Sequence, residues 1–94
     1  MRQFILVCHD KPEMFKLRAV TRDEHLAYIK STGDKVLLAG PMLDDKDRPI
    51  GSVLIIEAED LLTAQQFAGN DPYAKAGLFS ETEIRPYKIV MANL

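Results

Sequence analysis

A chain of 94 residues with 47% hydrophobic content can bury one core, and residues 1–94 read as a single domain. The formal charge of −2, from 12 basic and 14 acidic residues interspersed along the chain, supplies no basic field of the kind that grips nucleic acid or an anionic membrane. No stretch approaches the roughly 20 apolar residues that span a bilayer, and Met1-Arg2-Gln3-Phe4 leads into strand-like sequence rather than a signal peptide, so the expected location is the cytoplasm.

Phe4-Ile5-Leu6-Val7-Cys8 is a short apolar run of strand formers, closed by Asp10-Lys11-Pro12, and predicts a buried first strand with its exit turn. Cys8 is the single cysteine. It has no intramolecular disulfide partner and no second thiol at zinc-ligand spacing, so it reads as core, and neither a metal nor a cofactor is expected. After a polar connection, Thr21-Arg22-Asp23-Glu24 matches a capping box, which predicts a helix starting at Thr21 and carrying His25, Leu26 and Ile29.

Gly33 suits the end of that helix, and Lys35-Val36-Leu37-Leu38-Ala39 predicts a second strand that Gly40-Pro41 stops. The polar run Asp44 to Pro49 is a loop, and Gly51 to Glu57 a third strand, so strands two and three form an antiparallel hairpin. Asp60 is the expected N-cap of a helix over Leu61–Ala68 that Gly69 ends. Asp71-Pro72 caps a further short turn, closed at Gly77. The last strand is expected in two halves around Pro86, Thr82–Arg85 and Tyr87–Met91.

The order β-α-β-β-α-β is the split βαβ, ferredoxin-like arrangement: an α+β fold with an antiparallel sheet and both helices on one face. So short a chain has no third layer for the other sheet face, which predicts a homodimer packed sheet to sheet.

His25 is the residue best suited to chemistry, since an imidazole titrates near ~6.5 and serves as acid or base at neutral pH. Placed in the first turn of its helix, it would feel a dipole that disfavours the protonated ring. Asp71 is its natural partner, a carboxylate that a helix N-terminus keeps ionised and that can fix the ring's tautomer. The plain alternatives are a histidine without a role and a simple N-cap. Arg18 and Arg22 lie four residues apart just ahead of His25; if the residues between them are helical they share a face and can hold an anionic substrate group. Asp10 at the end of the first strand is a further substrate-binding candidate, though an acid in a turn needs no function. His9 adjoins Cys8, but adjacent strand residues point to opposite faces and do not converge.

Taken together, Asp10-Lys11, Arg18 and Arg22 before His25-Leu26, Leu38-Ala39-Gly40-Pro41, Gly51-Ser52, Asp71-Pro72-Tyr73 with Ala76-Gly77, and Arg85-Pro86-Tyr87 resemble the YciI-like family in order and approximate spacing. The resemblance implies a ferredoxin-like fold paired as a dimeric α/β barrel, with an active site on the histidine of the His-Leu motif and the aspartate of the Asp-Pro-Tyr motif, here His25 and Asp71. The chain departs from the pattern in a tighter stretch between His25 and Ala39 and a shorter loop before Gly51. Some members resemble lyases or dehydrochlorinases of chlorinated hydroxylated aromatics, and related barrels include muconolactone isomerases and cofactor-free monooxygenases.

Two functions of different class follow as expectations. One is a cofactor-free lyase, dehydrochlorinase or isomerase on a small cyclic or aromatic substrate, with His25 moving a proton, Asp71 orienting it, and Arg18, Arg22 and Tyr73 holding an acidic or phenolic group. The other is a non-catalytic module that binds a small ligand or another protein.

Overall fold

The computed structural model describes all 94 residues. Its elements are β1 (Arg2–Asp10), α1 (Phe15–Ser31), β2 (Val36–Leu43), β3 (Pro49–Ala58), α2 (Leu61–Asn70), α3 (Pro72–Lys75) and β4 (Phe79–Tyr87). The strands form one antiparallel sheet in the order β2-β3-β1-β4, so each helical crossover skips a strand. This is the ferredoxin-like α+β architecture that the element order predicts.

The two-residue period of β1 and β3 supplies the core. Phe4 and Leu6 pair with Ile56 and Leu54, and each of the four is at most 2% exposed. Ala64 of α2 closes over them, with Ile29, Phe67 and Ala68 packed at the margin. Each large side chain buried in this way contributes roughly 1.5–3 kcal/mol. Glycine is required at Gly51. A Cβ there would lie 2.5 Å from the Cys8 carbonyl oxygen and against Met42 Cε, so only glycine lets β3 approach the end of β1.

The chain departs from its local signals in three places. First, α1 begins at Phe15, not at Thr21. Glu13 turns the chain at φ 59°, and Met14 caps the helix without a side-chain hydrogen bond. The Thr21–Glu24 pattern lies inside the helix, where Thr21 Oγ1 donates back to the Leu17 carbonyl at 2.8 Å instead of capping anything. His25 is therefore mid-helix, which removes the expected influence of the helix N-terminus.

Second, β2 runs through Gly40-Pro41 and β4 runs through Pro86. Both are edge strands, so a proline whose missing N–H faces outward breaks no ladder bond. Third, no strand follows Tyr87, so the expected second half of the last strand is absent. The starts of α2 and α3 are as expected from the acids before them. Asp60 accepts from the Thr63 N–H at 2.8 Å and Asp71 from the Tyr73 N–H at 2.9 Å.

On the sheet face away from the core, half-buried Ile5 and Val7 pair with Ile55 and Val53, and Leu38 of β2 pairs with Ile55. This apolar strip has no covering element in the chain. No helix is long and apolar enough to cross a membrane.

Candidate active site

Three- and four-residue steps along α1 put Phe15, Arg18, Arg22, His25 and Ile29 on one helical face. Between that face and the β2–β3 half of the sheet lies a cavity of about 310 Å³. Ala39, Gly40 and Pro41 of β2, Ser52 and Leu54 of β3, and Tyr73 of α3 complete its lining.

His25 is only 7% exposed, and Asp71 holds it from behind. The two Asp71 oxygens lie 2.9 and 3.0 Å from His25 Nδ1. An ionised carboxylate can only accept, so Nδ1 carries the hydrogen and, in the neutral ring, Nε2 is the basic nitrogen. Asp71 is fixed in turn by its α3 cap bond from the Tyr73 N–H. Nε2 has no partner within the chain, yet no sealed side-chain polar atom lacks one. The basic nitrogen is thus open to the cavity that His25 lines.

Arg18 occupies the next position of the same wall. Its Nε and Nη2 donate to the two oxygens of Asp10 at 2.7 and 2.9 Å, and Nη2 also donates to Ser52 Oγ at 2.9 Å. Burial opposes the guanidinium charge, but Asp10 outweighs burial and holds the arginine above its ordinary pKa. Nη1 makes no hydrogen bond to Asp10 or Ser52 and is left on the Tyr73 side of the guanidinium's partners. Arg22 sits at the exposed side of the cavity and forms no ion pair within the chain.

Tyr73 joins the two halves of the site. Its ring stacks on the His25 imidazole with centroids 4.1 Å apart and planes 19° from parallel, and the Arg18 guanidinium lies 4.6 Å from its centroid. Burial pushes the phenol's pKa up, against the opposing charges of Arg18 and Arg22.

The structure thus brings His25, Arg18, Arg22 and Tyr73 to one cavity and sets Asp71 behind His25. Asp10 does not line this cavity; both its oxygens accept from Arg18, a role the sequence does not signal. Ser52, which fixes Arg18 from β3, was not a candidate; a lone serine in a strand carries no periodicity or spacing that marks it. Cys8 is a buried free thiol, and burial pushes it up to about 11, which suits the core role expected of it. No three His, Cys, Asp or Glu side chains converge in the structure.

The chain is similar to known proteins in sequence and in fold. The profile of the YCII-related domain matches residues 2–88. Protein YciI of Escherichia coli O6:H1 is 34% identical over 95 residues, covering 93% of this chain and 97% of its own length. An uncharacterized protein of Haemophilus influenzae is 30% identical with the same coverage. Among solved structures, the 5-chloro-2-hydroxyhydroquinone dehydrochlorinase TftG of Burkholderia phenoliruptrix AC1100, in complex with 2,5-dihydroxybenzoquinone, superposes with a TM-score of 0.83 at 37% identity. The match covers 92% of this chain and 93% of that one. An antibiotic biosynthesis monooxygenase, at a TM-score of 0.59 and 16% identity over 97% of this chain and 100% of its own, shares the fold.

Proposed function

The chain belongs to the YCII-related domain family, and on that premise we propose that it is a proton-transfer enzyme acting on a small hydroxylated ring, with elimination of a leaving group such as halide as its reaction. One observation carries this reading: a histidine with Nδ1 fixed by a buried carboxylate leaves Nε2 open to a cavity flanked by two arginines. A cavity of about 310 Å³ is of a size for a single six-membered ring. The dehydrochlorinase likeness adds the substrate class.

His25 Nε2 takes the proton of a ring hydroxyl, and Asp71 stabilises the imidazolium that forms. Arg18 Nη1 and Arg22 meet the charge developing on the substrate oxygen, in a site where Asp10 and Ser52 hold Arg18 still. Apolar Leu54, Ile29 and Phe15 shield the ring from water. An isomerase would share the first of these steps and differ only in where the proton is returned.

The experiment is chloride release from 5-chloro-2-hydroxyhydroquinone under anaerobic conditions, for the wild type and His25→Ala. Turnover that disappears in His25→Ala, with the fold retained, is the expected result. Stoichiometric binding with no product in either protein would instead favour a ligand-binding module.

The same proposal includes two features of the whole molecule. The uncovered strip of Ile5, Val7, Leu38, Val53 and Ile55 pairs with that of a second copy in a homodimer. The working compartment is the cytoplasm, where the unpartnered thiol of Cys8 stays reduced.

A further inference from the structure

We propose that Tyr73 is a second proton-transfer group of this site, handing a proton to a substrate ring carbon while His25 takes one from a hydroxyl. The inference rests on the proton-transfer reading above and deepens it by supplying the acid that the histidine alone does not.

Three observations lead to it. The Tyr73 ring is clamped between Arg18 at 4.6 Å and His25 at 4.1 Å, so its orientation relative to the base is fixed. The residue is 2% exposed, and the one side chain its hydroxyl meets within the chain is the Arg18 guanidinium, from which it accepts. Tyr73 also lines the cavity. A phenol that only filled space here would gain nothing from its oxygen, and a buried hydroxyl ordinarily finds a partner. Arginine can only donate, so the phenol's own hydrogen has no acceptor within the chain, and the substrate is the acceptor that remains for it.

The electrostatics suit a donor. Burial keeps the phenol protonated at neutral pH, and the charges of Arg18 and Arg22 support the anion once its proton has left. In the first step a ring hydroxyl O–H bond breaks and its proton goes to His25 Nε2. The O–H pair forms a carbonyl, and the ring carbon bearing the halogen forms a C–H bond with the Tyr73 proton, leaving tyrosinate. In the second step a further ring hydroxyl gives its proton to tyrosinate as the halide departs with the C–X electron pair. The imidazolium then releases its proton to water. The substrate has lost one HX, with no external oxidant or reductant.

The test uses Tyr73→Phe, which retains the stacked ring, with circular dichroism and the His25 NMR signals as checks on the fold. Chloride release from 5-chloro-2-hydroxyhydroquinone should fall by about 10²-fold or more in kcat, the usual size of a lost general acid, with KM changed less than about threefold. A kcat within about threefold of wild type overturns the assignment of Tyr73, while the loss of activity in His25→Ala would still uphold the base.

A second measurement separates protonation from elimination: exchange of ring hydrogens of 1,2,4-trihydroxybenzene in D2O under argon. Exchange catalysed by the wild type and abolished in Tyr73→Phe supports the inference even where no halide is released. Equal exchange by the two proteins overturns it. Neither exchange nor chloride release by the wild type overturns both the inference and the reading beneath it.

Discussion

Asp71 reaches His25 across 46 positions of sequence and offers Nδ1 both of its oxygens, at 2.9 and 3.0 Å, while Oδ1 also accepts the Tyr73 N–H that starts α3. One carboxylate thus caps a helix and sets a histidine tautomer. Asp71→Asn separates the roles, because asparagine caps a helix as well as aspartate does but carries no charge to stabilise imidazolium. Turnover of the proposed substrate should fall about 10²–10⁴-fold with little loss of stability. Asp71→Ala should add a stability loss of about 2–4 kcal/mol in urea unfolding. Nitrogen-15 shifts of His25 should show hydrogen on Nδ1 in the wild type; a ring protonated mainly at Nε2 would refute the assigned base.

Arg18 and Asp10 form a bidentate pair whose side chains are each 6% exposed. Removing the arginine leaves a carboxylate buried without its counter-charge, so Arg18→Met should destabilise the protein by about 3–5 kcal/mol. The double variant Arg18→Met/Asp10→Leu should recover most of that loss, because neither charge then remains buried. Chloride release should stay low in both, since both lack the guanidinium. A double variant no more stable than Arg18→Met would show that packing of the long side chain, rather than charge pairing, supports this corner.

The element order and both acid N-caps were readable because their signals are local. Asp60 and Asp71 act on backbone N–H groups two or three residues away, and the β1 and β3 runs are apolar at every buried position except Ser52. The start of α1 was not readable. The Thr21–Glu24 pattern imitates a cap, while the true start at Phe15 has no side-chain cap to announce it. Prolines 41 and 86 mislead for a different reason: their effect depends on whether the strand is an edge, and that is decided by the topology. The His25–Asp71 contact spans 46 positions that no local signal links; residue chemistry suggests the pair, and the motifs of the resembled family single it out. The pairing of Arg18 with Asp10 and Ser52 joins β1, α1 and β3 through single residues, and no periodicity marks such a contact.

The open strip on the sheet predicts an effect of one charge on association. Ile55 lies in register with both Ile5 and Leu38, at the centre of the strip, and does not belong to the core cluster on the opposite face. Ile55→Lys should therefore leave the protomer folded and abolish a sheet-to-sheet dimer. Sedimentation velocity should show a dimer for the wild type and a monomer for the variant, with unchanged far-ultraviolet circular dichroism. A wild type that sediments as a monomer at tens of micromolar would remove the proposed pairing.

Cys8 gives a prediction in pH. Its thiol is 3% exposed, and burial pushes it from 9.0 to about 11, so the folded state binds the proton more tightly than the unfolded state does. The associated stability is fully present below pH 9 and is lost as pH rises towards 11, because the unfolded chain ionises first. The loss amounts to roughly 2–3 kcal/mol across that window. Lysines and tyrosines titrate in the same range, so the comparison is with Cys8→Ala, whose urea stability should fall less steeply between pH 9 and 11. Iodoacetamide at pH 8 should label Cys8 rapidly in urea and hardly at all in the native protein. Rapid native labelling would show that β1 opens readily at its Cys8 end, beside the Asp10–Arg18 pair on which the cavity depends.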